Sequence, residues 1–428
     1  MSQANQTVAP MRGNDRVYRW TLLALLSVTY FLMHGSRQVF NASLPQIKVG
    51  LAGCGVTDAQ LGLSRTIFLF AYGLMVPFAG LAADFFKRKW VIVIGTAMFA
   101  SSVFFTGFAD SMLMLFVLYG LLNGVGQCMI PGPAASLIAQ FHEETRSTAL
   151  SIYQTALYFG VIIASVLAGW LGGLSSDGWR YAFWGFGGVG VAWVLVLVLF
   201  LRNTPALVTK GETEDKATFR EALAAFFSKP TALLLTFAFG MLVFGSNCFR
   251  TWMPAFLQSA AEKGGFALSP ASAAFHGVIW FYIGSFLGIA IGARASDRLT
   301  KTRPGIRITV MAVGMAISAP AMAAMVYMPN LWLCCVMMFV FGVGGGFFDC
   351  NLCAGIFDVI APRYRAAGLS IYLCGAFFLG CPATAVLGWV GQVFSLQHGI
   401  AIFGATYALG AVAIFIARGV FFRRDSVL

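Results

Sequence analysis

Charge is scarce in this chain: of 428 residues only 10% are Asp, Glu, Lys or Arg, and the acids number 16. Soluble domains carry about a quarter of their residues as charge, so an ordinary solvated surface is excluded. Histidine is scarcer, at 4. The sequence has no nucleotide-binding loop, catalytic triad or haem motif, so no enzymatic machinery is visible and no cofactor is expected. Its 9 cysteines are scattered, mostly inside apolar runs, with only Cys54 in an expected external loop, which argues against a disulfide framework. Cys350 and Cys353 have CxxC spacing, but inside an apolar helix they are expected to pack rather than bind metal. A cleavable signal pattern is absent, because the short polar stretch Met1 to Asn14 runs directly into an apolar segment.

What the chain has instead is apolar length. Hydrophobic residues make up 59% of the sequence and mean hydropathy is +0.81. Twelve stretches reach the roughly 20 residues that a bilayer-crossing helix needs, near 19–44, 58–83, 90–109, 112–140, 147–173, 180–202, 231–258, 270–295, 306–327, 331–359, 365–393 and 397–420. The expected fold is an all-α membrane protein of twelve transmembrane helices. The net charge of +12 would suit nucleic acid, but its distribution follows the membrane. Of 28 Lys and Arg, 22 fall in alternate loops and termini on one side, and only Lys48, Arg180 and Lys263 on the other. The positive-inside rule then predicts both termini in the cytoplasm, and the short loops point to a bacterial inner membrane.

The remaining three arginines, Arg37, Arg65 and Arg250, stand inside spans. An intramembrane arginine is costly and by default marks a functional site or a paired charge. Arg37 and Arg250 are 213 residues apart, as are Asp84 and Asp297. Further along, LSIY at Leu150 to Tyr153 recurs at Leu369 to Tyr372, and Gly169, Trp170 and Gly172 recur as Gly388, Trp389 and Gly391, at an offset of 219. The chain therefore reads as two parallel six-helix repeats, 1–202 and 230–428, joined by a linker, 203–229, whose TFREALAAFF segment has amphipathic spacing suited to the membrane surface.

Two matched guanidinium groups facing one cavity suit a phosphate or carboxylate, since each offers five donors in a planar fork. His34 lies one turn before Arg37, and Asn247 holds the equivalent place before Arg250. Tyr72, Tyr153, Gln154 and Tyr372 are candidate polar contacts for the same ligand, alongside Tyr158 and Asn123. Acids in the spans are few, so Asp349, after the glycine run GVGGGFFDCN, is the candidate proton carrier, with His34 as the other. Internal pairing of an arginine with Asp349 is the competing reading. Arg65 is left between two roles, recruiting anions at the outer mouth or anchoring at the interface.

The segment GLAADFFKRKW, Gly80 to Trp90, with a degenerate copy ARASDRLTKTR after the eighth span, resembles the signature of the major facilitator superfamily. That resemblance implies a fold of two pseudo-symmetric bundles that usually works as a monomer. It also implies a cytoplasmic latch built on Asp84 with Lys87 and Arg88 and on Asp297 with Arg298; Phe85 stands where an arginine is common. Glu144 with Arg146, and Asp358 with Arg365, read as matching latches after spans 4 and 10. RQVFNASLP, Arg37 to Pro45, and FAYG at Phe70 to Gly73 are similar to spans 1 and 2 of the organophosphate:phosphate antiporters and related organic-anion symporters. In the antiporters one arginine from span 1 and one from span 7 grip the phosphate, which would be Arg37 and Arg250. The chain departs from them at Leu157, where they place a histidine, and at the early Pro254.

The expected function is secondary active transport of a small organic anion such as a sugar acid, with protons or a counter-anion as coupling partner. A sugar-phosphate/phosphate antiporter is the alternative, and a membrane anion sensor that does not translocate its ligand is the alternative from another class.

Overall fold

A computed structural model describes residues 13–142, 145–202, 219–300, 302 and 305–427. Its backbone is helix joined by short turns. Eleven helices among the described residues are long and apolar enough to cross a membrane. We number the spanning helices α1 (Gly13–Gly50), α2 (Asp58–Phe85), α3 (Arg88–Thr106), α4 (Met112–Phe141), α5 (Arg146–Gly172), α6 (Gly178–Phe200), α7 (Pro230–Gln258), α8 (Pro270–Thr300), α9 (Ile306–Met325), α10 (Leu331–Phe357), α11 (Ala367–Val393) and α12 (Leu396–Asp425). The twelfth is α1, 38 residues long. Its apolar run is diluted by His34, Arg37, Gln38 and Asn41. These polar residues make the first span the least apolar of the twelve.

The repeat is visible in the packing. Within the first half α1 lies against α5, α2 against α4, and α3 against α4 and α6. Each contact has a mate in the second half: α7 against α11, α8 against α10, and α9 against α10 and α12. Glycine sets the closest of these approaches. A Cβ added at Gly342 would stand 2.2 Å from the Phe281 carbonyl oxygen, and one at Gly346 would stand 2.3 Å from that of Ser285. The run after Val340 thus lets α10 press onto α8, as small residues do between membrane helices. Helix α10 then breaks at Cys350 and Asn351, and α4 breaks at the matching place, Met129 and Ile130, before Pro131.

The halves meet through two seams related by the same symmetry, α5 on α8 and α2 on α11. Gly169 abuts Pro270 and Ala271, and its repeat mate Gly388 abuts Asp58 and Ala59. Ser165 Oγ donates to the Ala274 carbonyl (2.9 Å), Thr384 Oγ1 donates to that of Gly62 (2.9 Å), and Gln46 Nε2 donates to Gln258 Oε1 (2.8 Å). All of these lie toward the end opposite the basic loops.

The linker helix Phe219–Phe227 turns its apolar face onto the protein, burying Ala222 and Phe226 against α7 and α11. Phe227 stays exposed. Glu221 pairs with Arg363 at 3.5 Å, so the helix is tied to the second half by charge as well.

At the basic end, Asp358 is paired with Arg307 of α9 at 2.9 Å rather than with the expected Arg365, which donates to the Phe357 carbonyl. Asp358 is 4% exposed. Burial pushes its carboxyl above the usual range, against the opposing effects of Arg307 and, more weakly, Arg365. The pair joins α9 to α10 within one half and does not cross between halves. Arg307→Gln is expected to lower stability by about 3 kcal/mol, as removal of one partner of a buried pair does. The carboxyl then titrates higher in the folded than in the unfolded chain, so the deficit grows as pH rises. Melting temperatures of the variant and the parent protein, taken near about pH 5 and about pH 8, check both the loss and its sign.

Candidate functional site

Between the halves lies a cavity of about 190 Å³. Helix α1 presents His34, Arg37, Gln38 and Asn41 to it, a stripe at i, i+3, i+4 and i+7. Arg65 comes from α2, Gln154, Leu157, Tyr158 and Val161 from α5, Arg250 from α7, and Phe281, Tyr282 and Ser285 from α8. Asp349 comes from α10, at the last residue before that helix breaks.

Arg37 is held from one side. Its Nε donates to Gln127 Oε1 at 2.5 Å, and Gln127 Nε2 in turn donates to Ser36 Oγ (3.0 Å) and Asn123 Oδ1 (2.8 Å). That relay orients the Gln127 carbonyl toward the guanidinium. The rings of Phe68 and Tyr72 flank it, 5.1 and 4.9 Å from the guanidinium carbon. Its buried Nη2 finds no hydrogen-bond partner. Arg250 lies over Phe281 at 5.3 Å, and its buried Nε is likewise without a partner.

Arg65 is 7% exposed and belongs to the cavity wall, neither at an outer mouth nor at an interface. Its Nη1 donates to the Tyr119 hydroxyl at 3.3 Å. Tyr119 stands on a π-helical turn, Phe116–Leu122, and stacks on Phe40 at 3.8 Å. Such turns often mark functional sites in helices.

No acid lies within 4 Å of any of the three guanidinium groups among the described residues; the ion pairs there involve other cations. Asp349 shares the cavity and is exposed to it, but it is not in an ion pair with Arg250. Three guanidinium groups against one carboxylate leave a formal excess of two positive charges in a space enclosed by apolar helices.

Of the residues expected at the site, Arg37, Arg250, His34, Gln154 and Asp349 come together here. His34 Nε2 is buried without a partner, and the ring meets Tyr30 edge-on at 4.5 Å. Tyr72 stands one layer back, against Arg37. Tyr153 and Tyr372 do not line the cavity: Tyr153 stacks on Tyr30 at 4.1 Å, and Tyr372 is fully buried against Phe239. Asn247 is 8% exposed and also lies off the cavity. Tyr153 and Asn247 each lie about one helical turn from a residue that does reach it, Leu157 and Arg250, a difference span-level spacing does not resolve, whereas no described residue of α11 lines the cavity.

Sequence reasoning passed over Gln38, Asn41, Gln127, Tyr282 and Ser285. The α1 stripe was available for the first two; the others depend on which faces the helices turn to each other.

Among the expected latch residues, the side chain of Asp84, residue Glu144 and the side chain of Arg146 lie outside those described. Lys87 is exposed and precedes α3, and Arg88 Nη1 donates to Gln140 Oε1 at 3.1 Å. Asp297 and Arg298 are exposed near the end of α8. No group of three or more His, Cys, Asp or Glu side chains that could hold a metal occurs among the described residues.

Comparison with known proteins agrees with the fold. The chain is 24% identical over 381 residues to Protein spinster homolog 1 of Xenopus laevis, covering 85% of this chain and 71% of that one. It is 24% identical over 420 residues to the probable sulfoacetate transporter SauU of Cupriavidus necator, covering 92% and 93%. The crystal structure of a bacterial homolog to the human lysosomal transporter Spinster, inward-facing and unoccupied, superposes with a TM-score of 0.85 at 21% identity, over 96% of this chain and 99% of that one. The family model of the Major Facilitator Superfamily matches residues 26–280. The chain is a multi-pass membrane protein of the major facilitator superfamily.

Proposed function

We propose that the protein is a secondary active transporter of a small organic anion, working by alternating access. The observation that carries this is the excess charge: Arg37 and Arg250, one from each half, face one cavity without an acidic partner within 4 Å among the described residues. A carboxylate, sulfonate or phosphate between them would accept from both forks. Two like charges on opposite halves repel; an anion between them turns that repulsion into attraction on both sides. Binding thereby favours the closed arrangement of the halves, which is what a ligand must do to drive the cycle. A relative carrying the name sulfoacetate transporter over 93% of its length fits an anionic substrate.

The two glycine seams close the cavity toward the end opposite the basic loops, so substrate exchange in this arrangement is with the basic end. By the positive-inside rule that end is cytoplasmic, and the protein resides in a bacterial inner membrane. Asp349 is the coupling group. An anion bound in the same cavity repels its carboxylate, so anion and proton bind more tightly together than apart, and the coupling is reciprocal. His34, packed on Tyr30 beside Arg37, serves as the second candidate carrier.

A panel of phosphate, sugar phosphates, sugar acids, dicarboxylates and sulfonates, with neutral sugars as controls, tests binding by the rise in melting temperature that a ligand of the folded state produces. One anion class is expected to stabilise the protein, and Arg37→Gln or Arg250→Gln to weaken its binding about tenfold or more. Labelled anion should then accumulate in proteoliposomes. Binding without accumulation would support the sensor, and stabilisation only by neutral compounds would make the arginines structural. Strict exchange for phosphate would favour the antiporter.

For coupling, Asp349→Asn is expected to abolish accumulation driven by an inward proton gradient while sparing anion exchange. Unchanged gradient-driven accumulation would remove Asp349 from the coupling step.

A further inference from the structure

Arg65 has no part in a clamp made of Arg37 and Arg250, yet it lines the same cavity. We propose that Arg65 selects for a second negative charge, so that the substrate is a compact dianion bearing two acidic groups. This rests on the anion-transport reading above and narrows it.

The argument starts from where the third charge sits. Arg65 and Arg37 face the same ring, Phe68, with their guanidinium carbons 4.6 and 5.1 Å from its centroid. Two like charges sharing one aromatic neighbour repel, and a negative group between or beside them relieves that repulsion. The protein supplies little. Tyr119 offers Arg65 a neutral hydroxyl, Gln127 offers Arg37 a neutral amide oxygen, and Asp349 comes from the other half, on α10.

Arg65 is also a built group and not a stray one. It is 7% exposed and anchored at one Nη by a tyrosine that is itself fully buried and stacked on Phe40. Its buried Nε is left without a hydrogen-bond partner. The anchoring fixes the fork while leaving donor capacity unused, which is the arrangement expected of a ligand-binding arginine.

Charge balance points the same way. The formal excess of the cavity is two positive charges with Asp349 ionised and three with it protonated, so in either state a monoanion leaves at least one charge more uncompensated than a dianion does. About 190 Å³ keeps the two acidic groups close together. One group bridges Arg37 and Arg250, and the other meets Arg65.

The test compares dianions with monoanions of nearly the same shape. Full-length purified protein is titrated at neutral pH with succinate against succinamate, and with sulfoacetate against sulfoacetamide; in each pair a carboxylate is replaced by a neutral amide. The expected result is that at least one dianion binds about tenfold or more tightly than its amide, the worth of one charge-assisted hydrogen bond. In Arg65→Gln that preference should vanish through loss of dianion affinity, with the amide bound as before.

Arg65→Lys, which keeps the charge, should retain part of the preference, and it guards against a Gln variant that fails to fold. Absence of any preference in the unmodified protein, including failure of both dianions to bind, overturns the assignment. So does an Arg65→Gln variant that weakens both members of a pair equally. Failure of the underlying reading looks different: Arg37→Gln would then leave the amides bound as before.

Discussion

Everything at the centre of this molecule depends on positive charge that the protein itself does not neutralise. Each arginine carried into the bilayer costs roughly 3 kcal/mol on insertion scales, and a buried charge normally finds a partner. Arg37, Arg65 and Arg250 find aromatic faces and neutral acceptors instead, with one carboxylate, Asp349, in the shared cavity. In the transport reading proposed above, that uncompensated charge is what gives the cavity its affinity for anions.

The fold sets where that charge can act. Close helix packing is delegated to glycine: Gly342 and Gly346 let α10 press onto α8, which places Asp349 at the cavity edge where α10 breaks. The related glycines Gly169 and Gly388 hold the halves together on one side of the cavity only. Because Arg37 and Arg250 belong to different halves, whatever sits between them acts on the relation of those halves. In the proposed cycle, binding and conformational change are therefore one electrostatic event rather than two linked steps.

Much of this was legible in the sequence, for physical reasons. Apolar length and the one-sided distribution of Lys and Arg mark spans strongly, and the offset from Arg37 to Arg250 carries the repeat and the placement of both arginines at one cavity. What could not be read was helix rotation. Tyr153 and Tyr372 are as polar and as well matched by symmetry as the arginines, yet they face Tyr30 and Phe239 inside their own halves. Arg65 stayed undecided because its partner, Tyr119, is 54 residues away on a π-helical turn that no periodicity announces. Asp358 illustrates the same limit at a helix end: nearby Arg365 was the natural guess, and Arg307, across the turn between helices, is the partner.

If a negative charge is missing from this cavity, a carboxylate supplied by the protein itself will fill that place. Gln154 lines the cavity and is exposed to it, and Gln154→Glu adds a carboxylate with almost no change of shape. The measurement is the melting temperature of this variant with and without the stabilising anion. A higher melting temperature in the absence of ligand and loss of the anion-induced rise are expected, because the new carboxylate takes the ligand's place. A lower melting temperature with the anion effect intact would contradict this, and would mean that the three arginines are already balanced by the protein around them.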